Sequence, residues 1–142
     1  MKSGIRWGRV IAAALFSELA VMAVLLTLTG VYALLSRKST AAELQQFGQR
    51  AGYYAAPAAS GLAVFLGALW ATRRLAANIV LNGTLVGVVA VILTAGMLFG
   101  ARPEDRLMYI VSFVVRIAAG YIAGLTAQAR FNRTAEHAGA AS

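Results

Sequence analysis

The sequence predicts an all-α integral membrane protein: four transmembrane helices in one bundle, arranged as two hairpins with both ends in the cytoplasm. Three observations predict it. The chain is 60% hydrophobic and only 13% charged, against about 45–50% and about 25% for soluble domains, and its mean hydropathy is +0.72. It carries four apolar runs, each reaching the roughly 20 residues a helix needs to cross a hydrocarbon core of about 30 Å. Lys and Arg gather at the ends of those runs, where the positive-inside rule puts them. At 142 residues the length fits a single domain.

The first run, 10–35, is long enough to need tilt or an interfacial extension. Lys2, Arg6 and Arg9 precede it as in a signal peptide. The run is too long for a signal-peptide apolar region of about 7–15 residues, and no A-x-A cleavage site closes it, so a retained helix is expected. The second run, 51–72, contains Pro57, which is expected to kink it. The third covers 79–100 and the fourth 107–127. Pro103 suits the first turn of the fourth helix, with Glu104 and Asp105 at the positive end of its dipole.

The connections at 73–78 and 101–106 are short. The longer one, 36–50, holds Thr40-Ala41-Ala42-Glu43, a capping box, and predicts a short helix lying on the membrane surface. Residues 128–142 are small and polar and predict a disordered cytoplasmic tail. Orientation follows from the cations. Lys2, Arg6, Arg9, Arg73, Arg74, Arg130 and Arg133 fall on one side, and Arg37, Lys38, Arg50, Arg102 and Arg106 on the other, seven against five. The larger group marks the cytoplasm. Trp7 and Trp70 lie at one boundary, and Tyr32, Tyr53, Tyr54 and Tyr109 near the other.

Several function classes drop out. The chain has no cysteine and one histidine, His137, so disulfides, thiolate or histidine metal sites and a cysteine nucleophile are excluded. No phosphate-binding glycine loop or nucleophile elbow is present, so neither an enzyme nor a cofactor is expected. A net charge of +8 in so apolar a chain answers to anionic headgroups rather than nucleic acid.

Two residues need more than lipid to explain them. Glu18 lies about 12 Å, and Arg116 about 17 Å, from the cytoplasmic boundary at about 1.5 Å per residue. A charge at such depth costs on the order of 3 kcal/mol or more. A bent arginine side chain spans the difference in depth, so the two form a candidate intramembrane charge pair. The pair either fixes the first helix against the fourth, or serves as a proton site, ion relay or counter-charge for a substrate; failing contact, Glu18 is simply protonated or faces a partner subunit. Ser17, Asn78, Asn82 and Thr84 are read either as interhelical hydrogen-bonding groups or as a polar vestibule to Glu18. Gly83 and Gly87, and Gly120 and Gly124, form two GxxxG motifs for close helix packing, with Gly52, Ala56 and Ser60 as a similar stripe. Gly67 to Ala71 and Gly120 to Gly124 read either as a weak internal repeat or, preferably, as chance likeness in a chain so rich in Gly and Ala.

Four helices with a glutamate in the first, within Ala13-Ala14-Leu15-Phe16-Ser17-Glu18-Leu19, resemble the small multidrug resistance transporters. That resemblance implies exchange of protons and cationic solutes at Glu18. Arg116, the 36–50 segment and the different aromatic pattern of helices two and three depart from that family. The leading expectation is therefore a non-enzymatic accessory or scaffold subunit of the bacterial inner membrane, associated with a membrane partner or with copies of itself. The alternative is a small proton-coupled transporter or channel, with Glu18 as proton or substrate site and Arg116 as counter-ion.

Overall fold

A computed structural model describes residues 4–36, 40–73 and 75–140, with side chains to His137. Lys2, Arg37, Lys38 and Arg74, counted above for orientation, and the last two tail residues lie outside the described residues. The described residues are all-helical. They form α1 (Trp7–Leu35), α2 (Ala41–Thr72), α3 (Ile79–Gly100) and α4 (Arg106–Ala140), with one 3-10 turn at Pro103–Asp105. All four helices are long and apolar enough to cross a membrane.

Two boundaries differ from the sequence expectation. The surface helix predicted within 36–50 is the first part of α2, which runs unbroken from Ala41 through Pro57 to Thr72. The capping box is formed: Glu43 N–H donates to Thr40 Oγ1 at 3.3 Å, and Thr40 N–H to Glu43 Oε2 at 2.8 Å. Beyond the cap, Tyr32 stacks on Phe47 with ring centroids 4.0 Å apart, which lays the start of α2 along the end of α1. The tail expected to be disordered is helical through Ala140. Its Ala, Arg, Gln and Glu residues are good helix formers, and a helix already propagating extends through them without a new nucleus.

The helices pack by small residues, and they do so at one end. The innermost core is Val10, Ala13 and Ala14 of α1, Val64, Ala68 and Ala71 of α2, Val86 and Ala90 of α3, and Ala123 of α4. Every member is Val or Ala. The two GxxxG motifs meet each other across α3 and α4. A Cβ added at Gly83 would lie 2.8 Å from the Gly120 carbonyl oxygen, one at Gly120 would lie 2.6 Å from the Gly83 oxygen, and one at Gly124 2.8 Å from Val80 Cα; one at Gly87 would strike the Arg116 carbonyl oxygen. Gly67 packs on α1, where a Cβ would meet Ser17 Oγ at 2.7 Å. The Gly52–Ala56–Ser60 stripe divides. Ser60 Oγ lies 3.3 Å from Ser112 Oγ of α4, whereas a Cβ at Gly52 would meet nothing within 4 Å.

The same end is stitched by backbone capping across helices. Asn82, fully buried on α3, accepts the Arg6 N–H at the start of α1 at 3.0 Å. Arg9 Nη1 donates to the carbonyl of Arg73, the C-cap of α2, at 2.9 Å. Asn78 opens α3 at φ 54°, ψ 32°, a left-handed conformation that Asn tolerates better than most residues. Free helix-terminal N–H and C=O groups near lipid are costly, and these contacts satisfy them.

Backbone contact at Gly87 leaves no room for a methyl group, while a Cβ at Gly96 would meet nothing within 4 Å. Gly87→Ala is expected to destabilise the purified protein by about 1–3 kcal/mol, the usual cost of overpacking. Gly96→Ala should be neutral or stabilising by up to about 1 kcal/mol. Thermal unfolding in one detergent compares the two, and equal effects would refute this packing.

Candidate functional site

At their other end the helices separate. A cavity of about 740 Å³ opens there between the starts of α2 and α4 and the end of α3. Arg50, Arg102, Glu104 and Asp105 stand among its lining residues, with Tyr53, Tyr54 and Tyr109. Gly52 and Ala56 line it too, so the upper part of that small-residue stripe makes space rather than contact. Lower down the lining consists of Val21, Met22, Leu25, Thr94, Ser112 and Phe113, together with Glu18 and Arg116. Below them lie the Val and Ala core and the paired glycines. The cavity is blind, and its floor carries charge.

Glu18 and Arg116 meet. Arg116 Nη1 lies 3.0 Å from Glu18 Oε1, and Nη2 donates to Oε2 at 3.2 Å. Both carboxylate oxygens thus lie within ion-pair distance of the guanidinium, and one of the two contacts is a hydrogen bond. The Arg116 side chain is 7% exposed and that of Glu18 19% exposed, so the carboxylate is the partner nearer the opening. Arg116 is also held by α3. Its Nη1 donates to the Ala90 carbonyl at 3.3 Å and to Thr94 Oγ1. Thr94 Oγ1 in turn donates to the Ala90 carbonyl at 2.9 Å. The pair therefore ties α1, α3 and α4 together. Among the described residues, Glu18 Oε1 and Arg116 Nε have no hydrogen-bond partner.

The other sequence candidates go elsewhere. Ser17 Oγ donates to the carbonyls of Ala13 at 2.8 Å and Ala63 at 3.1 Å, joining α1 to α2. Asn82 Nδ2 donates to the Asn78 carbonyl at 2.9 Å, and Thr84 Oγ1 to that of Val80 at 2.9 Å. None of these four residues lines the cavity above Glu18; Ser17, Asn82 and Thr84 give their polar atoms to backbone groups of the packed end. The polar residues that do accompany the pair, Thr94 and Ser112, were not singled out from sequence. Their signal was faint: hydroxyls are common in membrane helices, where they bond to the preceding turn. The described residues contain no group of three His, Asp or Glu able to hold a metal ion.

Compared with known protein families, curated proteins and solved structures, the chain matches none. The likeness to the small multidrug resistance transporters thus stands on the residues around Glu18 and the helix count. In this chain Arg116 already occupies the carboxylate that a cation would need.

Two outcomes test this geometry. Breaking a buried ion pair by removing one partner costs about 3–5 kcal/mol, while replacing both by apolar residues is often neutral. Arg116→Met should fall in that range, and adding Glu18→Leu should recover most of the loss. A charge swap should not recover it, because a carboxylate at 116 would face the Ala90 carbonyl. Recovery by the swap would show that the α3 contacts are immaterial. The blind cavity gives a second test in a chain that has no native cysteine. A small charged thiosulfonate should label Ser112→Cys at least about tenfold faster than Ser17→Cys, since only the first lines the cavity; comparable rates would mean that the packed end is open.

Proposed function

We propose that the chain is a small non-enzymatic transport protein of the bacterial inner membrane. In this reading the four helices form a transmembrane bundle with both ends in the cytoplasm, and the cavity is the solute site, open to the outside. Glu18 is the exchangeable proton or substrate group and Arg116 its counter-ion. One observation carries the reading: a cavity of about 740 Å³ descends from one end and stops on a buried Glu–Arg pair. Ionisable residues at membrane depth that face a cavity are characteristic of ion and substrate pathways. A blind cavity above a closed half also suits one state of an alternating-access cycle, in which one bundle face opens as the other closes.

A different observation favours the reading as an accessory or scaffold subunit. At about 1.5 Å per residue, the 32 residues of α2 and 35 of α4 reach roughly 48 and 52 Å, well beyond a core of about 30 Å. The excess gives a membrane partner, or a second copy of the chain, helical surface to grip outside the lipid. The rigid tie of Arg116 to α3 is equally at home in a static subunit.

Reconstitution separates the two. Proteoliposomes with an inward proton gradient are incubated with a bacterial small-metabolite extract, and accumulated solutes are identified by mass spectrometry. The transport reading expects at least one solute to accumulate with the native chain and not with a folded Glu18→Gln variant. No accumulation in either membrane orientation, together with a larger complex co-purifying from native membranes, would establish the subunit reading instead.

A further inference from the structure

We propose that the cavity selects a zwitterionic solute with an apolar body, one bearing an ammonium and an acidic group close together. The inference rests on the cavity being the solute site, and deepens that reading by naming the ligand chemistry.

The floor carries the argument. Glu18 and Arg116 already satisfy one another. A solute with a positive charge alone must take Glu18 from Arg116 and leave a buried guanidinium without its counter-charge. An anionic solute strands Glu18 in the same way. A buried charge is tolerated only when paired and hydrogen-bonded, so either exchange is unfavourable. A zwitterion pairs both groups at once. Glu18 Oε1 lies against Arg116 Nη1 without hydrogen-bond geometry, and Arg116 Nε–H has no partner among the described residues; both atoms are buried, so a solute gains them only by parting the pair, which a zwitterion does while leaving neither charge alone. Arg116 is 6% exposed and lines the cavity, so the pair it makes with Glu18 belongs to the floor and not to the outer surface.

The rest of the lining agrees. Its charged residues are Glu18, Glu104, Asp105, Arg50, Arg102 and Arg116, three of each sign, so the cavity favours neither a net cation nor a net anion. Between rim and floor stand Met22, Leu25, Met108 and Phe113, apolar groups whose methionines adapt to varied shapes. The volume falls within the range of about 300–1,000 Å³ typical of ligand pockets and admits an aromatic amino acid or a larger zwitterion. A phosphatidylethanolamine headgroup has the same paired charges.

The test is equilibrium binding to the purified full chain in detergent. Radiolabelled phenylalanine is the probe, and phenethylamine, hydrocinnamate and short-chain phosphatidylethanolamine are the competitors. Phenethylamine and hydrocinnamate keep the ring but lack one charge. Phenylalanine should bind saturably, and each single-charge analogue should compete at least tenfold more weakly than unlabelled phenylalanine. Stronger competition by phosphatidylethanolamine would keep the zwitterion and assign its source to lipid. Ser112→Trp and Met108→Trp fill the floor and the wall respectively; whichever of them retains a native melting transition should lose binding. Equal or better competition by either single-charge analogue would overturn the proposal while leaving the cavity a solute site. Absence of phenylalanine binding to folded protein would overturn it too, with solute uptake in proteoliposomes deciding separately whether the cavity transports. Binding unchanged in both folded tryptophan variants would place the ligand elsewhere and refute the inference.

Discussion

Glu18 and Arg116 meet at the level where the four helices stop packing on Gly, Ala and Val and begin to diverge. That position explains much of the structure around them. A charge pair in a close-packed layer of small residues would have no room, because backbones there approach to the point where Gly87 and Gly120 admit no Cβ. A pair far up the open end would be hydrated and tie nothing. At the boundary, Arg116 reaches Ala90 and Thr94 of α3 on one side and Glu18 of α1 on the other. The contact that closes the packed half is thus also the floor of the open half.

The packed half is held by means suited to lipid. Without a hydrophobic drive between helices in a bilayer, association depends on close van der Waals contact and on interhelical hydrogen bonds. Both occur together here. Paired glycines bring α3 and α4 to backbone contact, and Ser17, Asn82 and Arg9 each send a side-chain group to the backbone of a neighbouring helix or its cap. Three of those bonds fall at helix ends or beside a glycine-packed turn. They fix helix register where a smooth Val and Ala surface would let it slide. Towards the open half the described contacts are fewer: Ser60 with Ser112 between α2 and α4, and the stack of Tyr32 on Phe47 between α1 and α2.

Much of this was legible in the residues, and the remainder was hidden for identifiable reasons. The limits of α3 follow from hydropathy because Asn78 and the 101–106 turn end both the apolar run and the helix. The limits of α2 and α4 do not, because hydropathy reports where lipid ends, and these helices continue past it through Glu43, Gln45 and Gln46 at one extreme and Gln128 to Ala140 at the other. Depth counting brought Glu18 and Arg116 to one level, since helical rise is regular. It did not find Thr94, 22 residues away in sequence from Arg116, because helix rotation about its axis decides which hydroxyl faces a charge. The vestibule failed for the same reason: Ser17 is next to Glu18 in sequence and turns about 100° away from it, from the cavity towards α2.

The pair is not symmetric, and the asymmetry bears on what it can do. Arg116 has two further partners on α3, the Ala90 carbonyl and the Thr94 hydroxyl. The hydrogen bond recorded for Glu18 is to Arg116, and the carboxylate is the more exposed of the two. The guanidinium is anchored to two helices, and the carboxylate, the partner nearer the opening, to one. The packed end holds α1 through Ser17, Arg6 and Arg9, and Glu18 ties the same helix to α4 where the cavity begins. The carboxylate therefore sits where α1 passes from fixed register to cavity lining.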